Sequence, residues 1–214
     1  MSSNKDKFLQ TEQNQQTYYK QISLTEAQRA IFIDFEGFVK ETPSLIGICI
    51  EKSFEQIVLT EDLRSAANAK NLRFIDGNTL IKQLVNQAKK ENRRIVAFST
   101  HELAKCREYF NVDLSPFYCN ANSVAKAWKR KKFPEIKERF SGLKQYLSFI
   151  GFERGAYLGD RQSTQRIQSI RKMLAVKGDY EKLTPTVKAK WTKLLEHNEI
   201  DVLGMKKLVL ETFK

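Results

Sequence analysis

Three strand candidates follow one another closely in the first half of the chain, and this succession restricts the fold more than any other feature of the sequence. They lie at 31–36, 44–51 and 54–59, and only Lys52 and Ser53 separate the second from the third. Short runs of β-branched and aromatic residues with such tight connections are typical of antiparallel hairpins. The sequence therefore predicts an antiparallel meander of three strands.

The rest of the chain alternates between helical and strand-like patterns. Strand candidates lie at 94–98 and 116–121. Helical spacing or helix-start signals are found at 79–90, 102–110, 123–131, 141–151, 166–176 and from Thr184-Pro185 onward. Because a strand–helix–strand unit normally pairs its strands in parallel, the sequence predicts an α/β fold. Its mixed five-stranded sheet has three antiparallel strands, then two parallel strands, and is flanked by helices. Residues 1–21 are predicted to form a mobile polar tail and residues 22–214 a single domain.

The composition excludes several classes of protein. The chain has 37 Lys+Arg, 25 Asp+Glu and a net charge of +12, and its 41% hydrophobic residues are typical of a folded domain. No apolar run approaches the ~20 residues that a spanning helix needs, and the N-terminus lacks the apolar segment of a signal peptide. Cys49, Cys106 and Cys119 are widely spaced, so neither a disulfide framework nor a zinc site is predicted. We expect a cytoplasmic protein without a membrane partner; protein partners are not readable from the sequence.

Positive charge is concentrated in short clusters, which favours a polyanionic partner. Lys126, Lys129 and Arg130 surround Trp128, and a further cluster contains Arg161 and Arg166. Lysine and arginine bind phosphates, and aromatic rings stack on unpaired bases. These residues are therefore predicted to contact nucleic acid, with a merely solvated basic face as the alternative for each cluster.

Two carboxylates lie two residues apart on the first strand candidate. Asp34 and Glu36 should share one face of the strand, opposite Ile33 and Phe35. Two carboxylates on an otherwise apolar strand are costly unless hydrogen bonds or a cation compensate them. A divalent metal ion is one compensation, and exposure to solvent at the turn that follows is the other.

Two further clusters contain groups suited to metal binding and proton transfer. His197 and Asp201 are four residues apart on the last helix candidate and should be neighbours on its surface. Glu102 follows the fourth strand candidate, at the end of a strand where sites gather in α/β proteins. Taken alone, the pair of His197 and Asp201 is better explained as an exposed polar patch on a long helix.

Taken in order, the motifs resemble the DEDD exonuclease superfamily, which has the ribonuclease-H-like fold. The resemblance is carried by Phe32-Ile-Asp34-Phe-Glu36-Gly37, by 117–121 with 141–151, and by His197-Asn-Glu-Ile-Asp201-Val. It is nearest to ribonuclease-H-like nuclease domains found alone or joined to RecB-like nucleases. The resemblance implies a divalent-metal-dependent nuclease that cleaves DNA or RNA. It further implies 3′-5′ exonuclease action on single-stranded ends, with two Mg²⁺ or Mn²⁺ ions held by acidic side chains.

Carried over by position, the resemblance assigns Asp34, Glu36, Glu102 and Asp201 as catalytic metal ligands and His197 as the catalytic base. Two features depart from the family pattern. Ser99-Thr-His-Glu102 replaces the usual second motif, and His197 precedes Asp201 by the spacing of the family's tyrosine subgroup. Two alternatives therefore stay open: a catalytically degenerate nucleic-acid-binding module of the same fold, and a structure-specific endonuclease.

Overall fold

A six-stranded mixed sheet forms the centre of the protein, in a computed structural model that describes residues 21–155 and 162–214. The strands are β1 (Ile31–Glu36), β2 (Leu45–Ile50), β3 (Ser53–Val58), β4 (Arg73–Phe74), β5 (Ile95–Ala97) and β6 (Tyr118–Asn120). Their spatial order is β4-β3-β2-β1-β5-β6. Strands β1, β2 and β3 form an antiparallel meander, while β5 pairs in parallel with both β1 and β6.

The predicted mixed α/β sheet is confirmed, but the predicted number of strands is wrong. The additional strand, β4, pairs in parallel with β3 at the edge of the sheet, where Ile57 lies opposite Arg73. A strand of two residues is too short to show the alternation of apolar and polar side chains by which strands are recognised. The predicted tail lies outside the described residues apart from residue 21, and the single domain over 22–214 stays a prediction.

Helices cover both faces of this sheet. They are α1 (Leu24–Arg29), α2 (Arg64–Asn68), α3 (Gly77–Glu91), α4 (His101–Phe110), α5 (Ala121–Lys132), α6 (Leu143–Phe149), α7 (Ser163–Lys177) and α8 (Pro185–Glu211), with single 3₁₀ turns at Glu61–Leu63 and Tyr180–Lys182. The start of α1 carries a capping box, in which Ser23 and Glu26 satisfy each other's backbone N–H groups. Thr184 and Pro185 begin α8 as predicted.

The alternation of β1 places its side chains in two separate cores. Ile33 and Phe35 pack against α3 and α4 on one face of the sheet. Phe32 points to the other face and packs with Val202 and Met205 of α8. Asp34 and Glu36 therefore share the face that α8 covers, as the strand periodicity predicts. None of the helices in the described part of the chain has the length and apolar character needed to cross a membrane.

Helix α8 packs closely on the sheet at Gly47, which lies opposite Asp34 in the β1–β2 ladder. A Cβ atom added to Gly47 would lie 2.2 Å from Asn198 Oδ1 and 2.9 Å from Val202 Cγ2. Asn198 is fully buried, accepts a hydrogen bond from Gln56 Nε2 (3.0 Å) and donates to the Asp34 carbonyl oxygen (3.1 Å). A glycine on β2 thus allows one amide to join α8 to β1 and β3 across β2.

We predict that Gly47→Ala destabilises the protein by about 1–3 kcal/mol, because the added methyl group overpacks this contact. Gly142→Ala is the matched control, since a Cβ atom at Gly142 has no neighbour within 4 Å. Urea unfolding followed by circular dichroism measures both changes. Equal losses of unfolding free energy would contradict the close approach of α8 to β2.

Candidate functional site

Four predicted acidic residues converge near the carboxyl end of β1. Asp34 and Glu36 belong to β1, Glu102 lies in the first turn of α4 directly after β5, and Asp201 lies on α8. Burial raises the pKa of Asp34 well above its ordinary value, and the nearby charges of Glu36, Asp201 and Glu102 raise it further. This mutual influence shows that three distant parts of the chain contribute to one cluster, which we call the acidic site: Asp34, Glu36, Glu102 and Asp201.

The other three carboxyl groups of the acidic site are also hard to ionise. Burial, and then the charge of Asp201, raises the pKa of Glu36 to about 8. Burial raises the pKa of Glu102 to about 7, partly opposed by a hydrogen bond from Ser99, and burial raises that of Asp201 to about 6. Since Glu36 and Glu102 are only 7% and 5% exposed, water compensates little of their negative charge.

His197 lies beside this cluster, one turn before Asp201 on α8. Its Nε2 atom is 3.3 Å from Asp201 Oδ2 and 3.9 Å from Glu36 Oε1. A guanidinium nitrogen of Arg154 is 2.6 Å from His197 Nδ1, and Arg154 Nε is 3.5 Å from Asp201 Oδ1. The structure therefore brings the predicted base next to two of the predicted metal ligands and adds an arginine.

The partners of the imidazole define its hydrogen-bonding state. A guanidinium group can only donate, so His197 Nδ1 accepts from Arg154 and the proton of a neutral ring lies on Nε2. That proton faces the carboxylate of Asp201. In this arrangement His197 donates to Asp201, and the ring can accept a proton only at Nδ1, after Arg154 releases that atom.

Three residues of the site were not assigned a role from the sequence. Asn198 Nδ2 donates to Asp34 Oδ2 (3.0 Å), which orients that carboxylate. Ser163, at the start of α7, donates a hydrogen bond to Glu36, which opposes the effect of burial on its pKa. Arg154 lies in the irregular segment after α6, where no periodicity indicates what an arginine will contact. The sequence could have indicated Asn198, because it is an amide on the otherwise apolar face of a long helix.

A cavity of about 210 Å³ opens beside Glu36. His101, Lys105 and Ser163 contribute to its lining. Lys105 is buried, and its ammonium group donates to the carbonyl oxygens of Phe38 (3.0 Å), Val39 (2.6 Å) and Glu41 (2.8 Å). These hydrogen bonds hold the loop that follows β1, so the wall of the cavity next to Glu36 has a fixed position.

The residues predicted to contact nucleic acid have different environments. Lys126 and Arg130 are exposed on α5, whereas Trp128 packs edge-on against Phe133 and Phe149 at 5.3 and 6.0 Å. Lys129 is buried and donates to backbone carbonyl oxygens, which favours a structural role over the predicted phosphate contact.

Arg166 is a buried residue at the start of α7. Arg166 is 4% exposed, and its guanidinium group donates to Gln162 Oε1 at 3.0 Å. Its charge lowers the pKa of Glu36, so it acts from inside the protein as a counter-charge to the acidic site. Arg161 lies outside the described residues.

The chemistry of the donor set fits a hard divalent cation. Carboxylate oxygens are the ligands that Mg²⁺ and Mn²⁺ prefer. Burial, and then the repulsion between neighbouring carboxylates, raises the pKa values of Asp34 and Glu36, and a bound cation would oppose both effects. Within residues 21–155 and 162–214, no group of three or more His, Cys, Asp and Glu side chains is already spaced to hold a metal ion. Like-charged carboxylates repel one another, so drawing Asp34, Glu36 and Asp201 together would require the cation itself.

Comparison of the chain with family models, with curated proteins and with solved structures gave no match.

In the presence of a chelator, we predict that the protein becomes less stable as the pH rises from 4.5 to about 8, the ordinary and the raised pKa of Glu36. In this window the folded state holds a proton that the unfolded chain has released, so the free energy of unfolding falls with increasing pH. Thermal unfolding midpoints across the window measure the slope. Glu36→Gln should make the slope shallower without removing it, because the pKa values of Glu102 and Asp201 are also raised. Glu55→Gln, on the exposed side of β3, should leave the slope unchanged. A midpoint that rises with pH in the parent protein would contradict this electrostatic analysis.

Proposed function

We propose that this protein is a divalent-metal-dependent nuclease with a ribonuclease-H-like fold. The convergence of Asp34, Glu36, Glu102 and Asp201 near the carboxyl end of β1 is the observation that carries the proposal. Two buried and two half-buried carboxyl groups close together are costly to ionise unless a proton, an arginine or a bound cation compensates them. The order of the strands, with two parallel strands added beside β1, supports the fold assignment.

In this proposal, Asp34, Glu36, Glu102 and Asp201 hold two Mg²⁺ or Mn²⁺ ions. Bound there, such ions would lower the pKa of a water molecule and stabilise the charge that develops on phosphate oxygens. Asn198 keeps Asp34 in one orientation through its hydrogen bond to Oδ2. Ser163 does the same for Glu36. Both carboxylates are therefore preorganised on a rigid strand, which lowers the entropic cost of forming the site.

His197 would accept the proton released during attack on the phosphorus atom. Its Nε2 atom faces both Glu36 and Asp201, so it lies beside the proposed ligands without being one of them. An imidazole titrates near neutral pH and suits this task. Because Nε2 already carries a proton, Arg154 must release Nδ1 before the ring can act as a base. A phosphate group near the site would attract the Arg154 guanidinium and favour that release.

We propose DNA or RNA with a single-stranded 3′ end as the substrate, cleaved in the 3′-5′ direction. The net charge of +12 provides long-range attraction for a polyanion. The exposed Lys126 and Arg130 are suited to phosphate contacts, and we retain them as the strand-binding residues of α5. The endonuclease alternative from the sequence has no specific contact in its favour.

The second candidate is a catalytically degenerate nucleic-acid-binding module, and the position of Arg154 favours it. Its guanidinium lies between His197 and Asp201, where it neutralises part of the negative charge that a metal ion would otherwise neutralise. A permanent internal cation of this kind would make the acidic site a structural element. Titration with Mn²⁺ distinguishes the two functions: the nuclease binds it through Asp34 and Asp201, whereas the degenerate module does not.

We predict that Asp34→Asn and Asp201→Asn each abolish cleavage of end-labelled single-stranded DNA and RNA in Mn²⁺, because each removes an ionic ligand while retaining the shape of the side chain. Glu199→Gln is the matched control, since Glu199 is exposed on α8 between His197 and Asp201. Gel analysis of product length measures the rate, and a chelator should stop the reaction. Cleavage by either asparagine variant at the parent rate would exclude the proposed ligand set.

We predict that His197→Gln lowers the cleavage rate constant by about 10²–10⁴-fold, the usual contribution of a general base. The glutamine can still donate a hydrogen bond to Asp201, so loss of positioning alone should produce a small effect. Single-turnover measurements over a range of pH values are suitable, and the variant should also lose the pH-dependent limb of the parent profile. An unchanged profile would restrict His197 to orienting Asp201.

A further inference from the structure

A second cavity, of about 770 Å³, lies between the C-terminal half of α5 and the irregular segment 133–141. We call it the α5 pocket. Its rings belong to Phe133, Phe140 and Tyr146. The basic side chains that line it are Lys126, Lys129, Arg130, Lys137 and Arg139, against one acidic residue, Glu138. The volume is within the ~300–1,000 Å³ of small-molecule sites, so this is an aromatic pocket with a strongly basic lining.

Buried contacts hold the pocket open. Lys129 extends from α5 to the irregular segment and donates to the carbonyl oxygens of Ile136 and Glu138, at 2.8 Å each. The same ammonium group lies 4.7 Å from the ring centroid of Phe140. The N–H group of Ser141 donates to Gln145 Oε1 at 2.6 Å, which fixes the end of the segment. The pocket therefore exists before a ligand arrives, which reduces the entropic cost of binding.

An aromatic series joins the α5 pocket to the acidic site. The rings of Phe140 and Tyr146 are 5.0 Å apart, and those of Tyr146 and Phe98 are 6.2 Å apart. Phe98 directly precedes Ser99, whose hydroxyl group donates to Glu102 Oε2 at 3.4 Å. Since Tyr146 is buried, this series connects the wall of the pocket to the acidic site through the core of the protein.

The lining of the pocket indicates the chemistry of its occupant. Aromatic rings favour a flat ring system, while Lys126, Arg130 and Arg139 at the exposed edge favour phosphate groups. A lipid surface suits this geometry less well, since the rings line a cavity and do not project toward a bilayer. A nucleotide has both a flat base and a phosphate group.

We propose that the α5 pocket binds one nucleotide of a single-stranded nucleic acid, with the base against Phe133 and Phe140 and the flanking phosphates at Lys126, Arg130 and Arg139. The pocket would hold the strand away from the acidic site and direct its end toward the carboxylates. The cleavage that would follow binding rests on the proposed nuclease function. Binding of the strand to the pocket itself requires no metal ion.

Fluorescence anisotropy with a labelled single-stranded oligonucleotide in chelator tests the pocket apart from cleavage. We expect Arg130→Glu/Arg139→Glu to weaken binding roughly tenfold or more, and to lower the salt dependence by about 0.7 in log–log slope for each lost phosphate contact. Lys89→Glu/Lys90→Glu is the matched control. It makes the same change of charge on the exposed side of α3, which packs on the opposite face of the sheet.

A second comparison tests the base contact. The parent protein should prefer a normal strand to an abasic strand of equal length, and Phe140→Leu should reduce that preference without affecting Lys126 or the arginines. Near-ultraviolet circular dichroism and the thermal midpoint establish that Phe140→Leu is folded. An equal affinity of the parent for both strands overturns the base contact and with it the proposal.

The outcomes separate the two proposals. If the pocket variants lose strand binding and the parent protein shows no Mn²⁺-dependent cleavage, the pocket stands and the nuclease function fails. If the parent cleaves but Arg130→Glu/Arg139→Glu binds the strand as the parent does, the nuclease function stands and the pocket proposal is overturned. Failure of the parent to bind the oligonucleotide, or binding of phosphatidylserine vesicles in its place through the same arginines, also overturns the pocket proposal.

Discussion

The buried amide of Asn198 is the contact on which the arrangement of the protein depends. It accepts from Gln56 on β3 and donates to both the carbonyl oxygen and Oδ2 of Asp34 on β1, across the glycine of β2. Leaving a buried polar group without its partner costs about 1–3 kcal/mol, so α8 cannot slide or rotate freely on the sheet. His197 and Asp201 lie within one turn of Asn198, and the amide therefore also fixes their distance from Asp34 and Glu36.

The carboxylates around that contact repel one another and need protons or positive charges to compensate them. The protein itself supplies part of this compensation. Protonation is one response, as the raised pKa values of Glu36 and Glu102 show. Internal guanidinium groups are a second, since Arg154 and Arg166 oppose the effect of burial on Glu36. A divalent cation would be a third. Protons, arginines and metal ions compete for the same charges, so pH and metal concentration should act on this site together.

The part of the acidic site that could be predicted from the sequence is the part that follows from side-chain periodicity within one strand or one helix. The alternation in β1 was sufficient to place Asp34 and Glu36 on one face, and the helical spacing before Asp201 was sufficient to place His197 beside it. Periodicity does not indicate the environment of Lys129, one residue from the exposed Arg130. Its burial depends on two carbonyl oxygens in a segment without regular structure, and no pattern in the sequence indicates that contact. Strand β4 was not predicted either, because a strand of two residues is too short to show an alternation of side chains.

The sequence by itself determined the order and kind of the main elements, and the face of β1 that carries the carboxylates. These properties follow from side-chain periodicity, which acts over a few residues. Only the tertiary structure decided that Glu102 and Asp201 meet Asp34, and that Arg154 lies between His197 and Asp201. Convergence of this kind depends on how α8 packs across the sheet. The position of α8 is set by complementary shapes at Gly47 and Asn198, residues about 150 positions apart whose fit neither local sequence reveals.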